Sequence, residues 1–406
     1  MSKRILFVDD EPMVLSGLQR SLRSMREEWD MAFVTSGSEA LQRMELQPFD
    51  IIVTDMRMPV MTGAELLEEV KRRFPQCFRI ILSGQADQKT ILRAVDPTHQ
   101  YLAKPCDTNE LKRRLTRAFA VRGLLKNSEL QAVVSRLQAL PSLPSLYLEV
   151  THELESSEPS LPRITRLVSE DMAMTAKILQ LVNSAFFGLR CRISSPMQAV
   201  QMLGLDTLRA LVLSTHVFDK FRSNTLGEAE IAYLWEHSLA GASFAKHIAE
   251  SENADRQMVD DCFTAGLLHD SGKLILASAM GDKYQDVLRT VRQNGKKLIA
   301  AEVEILGCSH AEVAAYLLGL WGLPETVIDG VACHHDPSAS VQTGFSTVIA
   351  THVASVIHEE QSPFWMQDGV PLDLEYLQRN GCAGRDQVWR KVVEELGKSW
   401  DGTKFP

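Results

Sequence analysis

A chain of 406 residues, 45% hydrophobic and 23% charged, has material for two or three ordinary globular cores. Its net charge of −9 disfavours nucleic acid as an electrostatic partner, because phosphate binding needs basic surface, and no zinc-finger or basic-helix signature accompanies it. Seven cysteines (Cys77, Cys106, Cys191, Cys262, Cys308, Cys333 and Cys382) are scattered without a Cys-x-x-Cys, the pattern of reduced thiols in a cytosolic protein. The first apolar run stops at Asp9, too short for a signal peptide, and no run approaches the ~20 residues of a membrane span, so a cytoplasmic protein is expected.

In chain order, Lys3 to Val8 reads as a strand that runs into Asp9-Asp10-Glu11, and Val14, Leu15, Leu18 and Leu22 follow at helical spacing. Ile51-Ile52-Val53-Thr54, preceded by Asp50, has the length and β-branching of a buried parallel strand and ends in Asp55. Pro59 and Gly63 break the backbone before a helix carrying Leu66, Leu67 and Val70. Arg79 to Leu82 ends in Ser83-Gly84, and Tyr101 to Ala103 runs into Lys104-Pro105. This alternation predicts an α/β doubly wound, flavodoxin-like parallel sheet whose carboxyl edge gathers four functional strand ends. Grouped carboxylates suit Mg²⁺, and a lysine beside a hydroxyl suits the oxygens of a phosphoryl group in transfer to Asp55.

Over residues 1–122 these residues resemble the receiver domain of two-component response regulators. The match rests on Asp9-Asp10, Asp55-x-x-x-Pro59-x-x-x-Gly63, Ser83 and Lys104-Pro105, all in the family's order. The resemblance implies that Asp55 is the phosphoacceptor, that Asp9, Asp10 and Asp55 bind Mg²⁺ with the carbonyl of Arg57, and that Ser83 follows the phosphoryl group. It further implies that Lys104 pairs with that group, that Tyr101 is the aromatic switch, and that a sensor histidine kinase or phosphotransfer protein is the donor. Asp96-Pro97-Thr98-His99 departs from the Gly-Ala pair most receivers carry there.

Residues 108–139 read as a helical connector. Leu111, Leu115, Ala118 and Leu125 share a helical face that Arg122 interrupts, and Ser128-x-x-Gln131 reads as a capping box opening a second helix with Leu130, Val133, Val134 and Leu137. The stripe suggests a homodimer through the connector.

After Leu140-Pro141-Ser142-Leu143-Pro144 the pattern becomes all helical: Ile164, Leu167, Val168, then Ala176, Ile178, Leu179, Leu181, Val182, then Ala199, Met202, Leu203 and Leu208 to Leu213. Chemistry gathers on histidines here: His237 on a helix, His269-Asp270 near Gly272 (read as a helix break), His310-Ala311-Glu312, and His334-His335-Asp336. His237, His269, Asp270 and His334 could converge from several helices of a bundle on one divalent ion.

Residues 130–350, with the domain itself assigned to 140–340, resemble the HDOD module, a relative of the HD phosphohydrolases. Pro141 to Pro144, Asn183-Ser184-Ala185-Phe186-Phe187-Gly188, Leu203-Gly204, Gly266 to Lys273, and His310 through Trp321-Gly322-Leu323-Pro324 to His335 carry the likeness. Relative to the phosphodiesterase branch, Ala315 stands where a second histidine is expected and His352 where a ligating aspartate is expected, and the Gly-Tyr-Pro triplet is absent. The resemblance therefore implies a response regulator with a non-catalytic interaction output; the alternative is a metal-dependent phosphohydrolase of a nucleotide or cyclic dinucleotide. Residues 341–406 form a C-terminal helical extension, read as extra packing through Val348, Ile349, Val353, Val388, Val392 and Leu396.

Overall fold

The computed structural model describes residues 3–83, 98–104, 107–137, 141–142, 144–156, 158–183, 192–213, 219–220 and 225–399. Gly84, Asp96-Pro97, Pro105, Leu140, Leu143 and Ser184 to Gly188 lie outside them. Two compact units form, the first chiefly from residues 1–138 and the second from most of 139–406.

In the first unit, β1 (Lys3–Val8), β2 (Trp29–Val34), β3 (Ile51–Asp55), β4 (Phe78–Ser83) and β5 (Gln100–Ala103) form one parallel sheet in the order β2-β1-β3-β4-β5. β1 and β3 are near-continuous apolar runs because both faces are covered, with Ile5, Leu6, Ile51 and Ile52 wholly buried. The register aligns Val8 with Thr54, Asp55 with Leu82, and Ser83 with Ala103, so the chemical strand ends share one edge. The helices are α1 (Pro12–Ser21), α2 (Gly37–Leu46) and α3 (Gly63–Arg73). Ser36 caps α2 through Glu39 N, and Thr62 with Glu65 forms a reciprocal capping box on α3.

The connector comprises α4 (Thr108–Leu124) and α5 (Ser128–Val134). Two expectations change here. Asn127, not Ser128, caps α5, its side chain accepting from Glu129 N at 3.0 Å and Leu130 N at 3.2 Å. Leu111, Leu115, Ala118, Leu125, Leu130 and Val134 are all buried in the folded chain, so the stripe leaves no surplus apolar face and gives no argument for a homodimer.

The second unit is helical: α6 (Pro144–Glu155), α7 (Leu161–Ser169), α8 (Met172–Val182), α9 (Pro196–Leu213), α10 (Glu228–Ser251), α11 (Arg256–Leu268), α12 (Ser271–Ala279), α13 (Gly281–Asn294), α14 (Leu298–Leu306), α15 (His310–Leu320), α16 (Glu325–Cys333), α17 (Thr347–Gln361), α18 (Leu374–Arg379) and α19 (Arg385–Ser399). The exceptions to an all-helical pattern among the described residues are two two-residue strands, Pro141–Ser142 and Asp219–Lys220, which pair in parallel. α9 kinks at Gly204, whose φ of 70° suits a residue without Cβ. One core joins Ala240, Phe244 and Ile248 of α10 to Val348, Val353 and Ile357 of α17 and Trp389 and Val393 of α19, so residues 341–399 pack as part of this unit. No single helix among the described residues is long and apolar enough to cross a membrane.

Candidate functional site

At the sheet edge of the first unit, Asp9 is buried immediately after β1 and accepts from Glu11 N at 3.0 Å, while Asp55 closes β3 and accepts from Arg57 N at 2.6 Å. Lys104, just past β5, donates to Asp9 Oδ2 at 2.8 Å and to Asp55 Oδ1. Burial alone would depress the Lys104 ammonium, but the carboxylates of Asp55 and Asp9 outweigh it and hold the pKa above its ordinary value. Gly63 is required by close approach: a Cβ there would lie 2.0 Å from the Asp55 carbonyl oxygen. Ser83 ends β4, and Tyr101 lies on β5 opposite Ile81 in register. The donor set of Asp9, Asp10 and Asp55 is all oxygen, which fits Mg²⁺.

The second unit buries a denser constellation. α10 supplies His237; the junction of α11 and α12 and the first turn of α12 supply His269, Asp270 and Lys273; α15 opens with His310; and α16 runs out into His334, its C-cap, and His335. Glycines set these spacings. A Cβ on Gly266 would lie 2.5 Å from Gly241 O, and one on Gly272 would lie 1.9 Å from His310 O. Gly272 is thus inside α12 and is not a helix break: the break comes at His269-Asp270, and Gly272 lets the start of α15 touch α12.

Asp270 is the hub. Its Oδ1 lies 3.2 Å from His310 Nε2, 3.7 Å from His269 Nε2 and 3.8 Å from His334 Nε2, and its Oδ2 lies 3.6 Å from His237 Nε2. His237 Nε2 and His269 Nε2 are 3.0 Å apart. The four residues expected to share one ion therefore divide: His237, His269 and Asp270 form one group, and His334 joins His310, His335 and Asp270 in another. Carbonyl and carboxylate oxygens only accept, so the Nδ1 atoms of His269, His310 and His334 donate, to Gly266 O, Glu302 Oε2 and Val331 O, each at 2.7 Å. That leaves the Nε2 atoms of His269 and His334 as acceptors on the side of Asp270, as outer partners do for metal-binding imidazoles, whereas His310 directs an Nε2–H at Asp270 Oδ1.

Burial pushes the imidazoles of His237, His334 and His335 well below their ordinary pKa. His310 goes the other way: burial would lower it, but Glu302 and Asp368 raise it to about 10. Lys273, fully buried, donates to Asp270 Oδ2 and Asp368 Oδ2 at 2.8 Å each, and these carboxylates outweigh burial to keep it charged.

His352 does not reach the cluster. Its Nδ1 donates to His334 O at 2.7 Å and its Nε2 accepts from Asp373 N at 3.0 Å. The α17 residues beside His237 are Ser355, with Oγ at 3.4 Å from Nε2, and His358, whose Nδ1 lies 2.7 Å from Nδ1. Ala315, buried on α15, offers no ligand atom. Sequence reasoning left out His310 and His335 as cluster members, although the double histidine and the His310-Ala311-Glu312 run were visible. Asp368 carried no local signal at all.

The family model of the response regulator receiver domain matches residues 5–116, and that of the HDOD domain matches residues 140–337. An uncharacterized protein of Treponema pallidum is 29% identical over 205 residues, covering 50% of this chain and 39% of that protein. The hydrogenase transcriptional regulatory protein HoxA of Cupriavidus necator is 36% identical over 122 residues, covering 30% of this chain and 25% of its own length. Among solved structures, the MmoQ response regulator of Methylococcus capsulatus is similar with a TM-score of 0.48 at 25% identity, over 63% of this chain and 98% of that one. An HDOD domain protein of Geobacter sulfurreducens gives a TM-score of 0.38 at 27% identity, over 71% and 95%. The chain thus carries an N-terminal receiver domain followed by a C-terminal HDOD domain.

Proposed function

We propose that this protein is a cytoplasmic response regulator whose receiver accepts a phosphoryl group on Asp55 from a sensor histidine kinase or phosphotransfer protein, and whose HDOD domain is a non-catalytic interaction output. The observation that carries the receiver half is the meeting of Lys104 with both Asp9 and Asp55 at one sheet edge. Asp9, Asp10 and Asp55, with the carbonyl of Arg57, would hold Mg²⁺, which neutralises charge as the phosphoryl group arrives. Lys104 would exchange its Asp55 contact for a phosphoryl oxygen, and Ser83 and Tyr101 would re-pack around the added charge. Labelling by a small phosphoryl donor should require divalent metal and vanish in Asp55→Asn. Persistent labelling of that variant would refute the assignment.

Burial supports the non-catalytic output: His237, His269, Asp270, Lys273, His310 and His334 are each at most 1% exposed, which leaves a substrate no route to them. A second reading, a metal phosphohydrolase, is favoured by the histidine cluster itself, which offers His237, His269 and Asp270 as one candidate ligand group and Asp270, His310, His334 and His335 as another. Turnover of a cyclic dinucleotide panel with Mn²⁺, Fe²⁺ or Mg²⁺, present in wild type and absent from His269→Ala-Asp270→Ala protein, would establish that reading instead.

A further inference from the structure

Thr98-His99, the described half of the run that departs from the receiver pattern, takes no part in the phosphoryl site. His99 is buried and stands immediately before β5. Its backbone N–H donates to Arg79 O at 2.9 Å, and its ring Nδ1 accepts from Arg79 N at 3.1 Å. Phe78 meets the ring edge-on with centroids 5.1 Å apart. Arg79 Nη1 donates to Pro75 O and Cys77 O, which leaves Nη2 to reach Ser135 O at 2.9 Å. Residues from β4, from the approach to β5 and from the end of the connector thus meet at the amino edge of the parallel sheet, the edge opposite Asp55.

The hydrogen bonding there is over-subscribed. Burial, with the Arg79 charge beside it, pushes the His99 imidazole well below its ordinary pKa, so the ring is neutral and has one acceptor nitrogen. Nδ1 fills that role and Nε2 therefore carries the hydrogen, yet Nε2 lies 2.7 Å from Arg79 Nη2, which is itself a donor. The Ser135 carbonyl reconciles them, because it accepts from the His99 ring as well as from Arg79 and has a lone pair for each. Without that oxygen, two buried N–H groups would face each other unpaired, and the ring would have to turn. The contact is closed or open, with no stable arrangement between.

β5 links this point to the phosphoryl site. It is an edge strand bonded to β4 alone; Lys104, just past its carboxyl end, holds Asp55, and His99 precedes its amino end. We propose that His99, Arg79 and the Ser135 carbonyl form a latch that holds the end of the connector on the sheet, and that a phosphoryl group on Asp55 opens it by drawing Lys104 and β5 toward the new charge. A small displacement suffices, since a two-state contact amplifies it. The trigger rests on the phosphorylation of Asp55 proposed above, whereas the latch itself does not. Ser135 precedes the HDOD match, which begins at residue 140, so opening frees the segment that leads into the output.

The test is hydrogen–deuterium exchange of the full chain, read on peptides covering 51–58 and 128–137, with and without beryllofluoride and Mg²⁺ as the stand-in for a phosphoryl group. In wild type, beryllofluoride should slow exchange over 51–58 and speed it over 128–137 by at least about threefold. His99→Phe keeps the ring packing and removes both nitrogens. Its exchange over 128–137 should be fast from the start and gain nothing from beryllofluoride, while 51–58 still responds. His99→Gln, which keeps a donor and an acceptor, should restore part of the wild-type response. Thermal melting distinguishes an open latch from an unfolded chain, and if His99→Phe does not fold, the wild-type comparison decides by itself. A response at 51–58 with none at 128–137 would overturn the latch and leave the Asp55 assignment standing. No response at either segment would remove the assignment and the trigger together, and wild-type exchange over 128–137 in folded His99→Phe would sink the latch whatever Asp55 does.

Discussion

Arg122 Nη2 lies 2.9 Å from Asp50 Oδ1, and its Nη1 donates to Asp50 O at 2.9 Å. The residue that interrupts the apolar stripe of α4 therefore clamps that helix to the start of β3, the strand that ends in Asp55. A second arginine works beside it. Arg79 on β4, 1% exposed, donates to Pro75 O, Cys77 O and, at 2.9 Å, Ser135 O just beyond α5. The connector is thus tied to the sheet by two guanidinium groups.

Removing these ties should be unequal. Arg79→Met leaves three buried carbonyls short of a charged donor and should cost the first unit about 3 kcal/mol or more in urea unfolding. Arg122→Ala, at a partly exposed pair, should cost about 1–2 kcal/mol. Equal losses would mean that burial does not govern the contribution.

Leu115 and Leu125 are wholly buried, so Leu115→Glu or Leu125→Glu should act on folding rather than on assembly. Each places an unpaired carboxylate in an apolar site and should destabilise the chain by about 4 kcal/mol or more. Circular dichroism melts should register this. If light scattering instead recorded a folded chain of halved mass, the stripe would be an interface after all.

The receiver site was legible because its residues sit at strand ends, where chain order and alternation already fix their place. Asp9, Asp55 and Lys104 needed no side-chain detail. The histidine cluster was legible only in part. His237, His269 and Asp270 do meet, but the partner of Lys273 is 95 residues away in a loop, and no periodicity announces Asp368. The two arginine clamps were equally hidden, since a charged residue on an apolar face reads as an interruption until its acceptors are known. Gly272 was visible but misread, because lack of a Cβ serves close packing as well as helix breaking.

Gly272→Ala should therefore cost the second unit about 3 kcal/mol, since its Cβ would collide with the backbone of His310 and separate α12 from α15. Gly123→Ala on α4 meets nothing within 4 Å and should instead gain about 0.5–1 kcal/mol from helix propensity. Comparable unfolding midpoints for the two variants would contradict the packing assigned to Gly272.

His358 sets a direction for the acid limit of stability. It is 4% exposed, and burial, with a smaller push from His269, lowers its pKa to about 4. In the unfolded chain it returns to ~6.5. Between these values the unfolded state binds a proton that the folded state does not, so stability falls as pH falls, by ~1.4 kcal/mol per pH unit for this one group. His237, His334 and His335 are depressed in the same direction by burial and steepen the loss. Glu359, raised by burial to about 7, opposes them as a single group, because its proton is retained in the folded state. His310 acts at the other end: raised to about 10, its contribution is complete below ~6.5 and disappears as pH rises through 10. Urea unfolding of metal-free protein should thus show greatest stability near neutrality and a net loss toward pH 4.5. His358→Gln should make that acid slope shallower by ~1.4 kcal/mol per pH unit; an unchanged slope would show that His358 is already protonated in the folded protein.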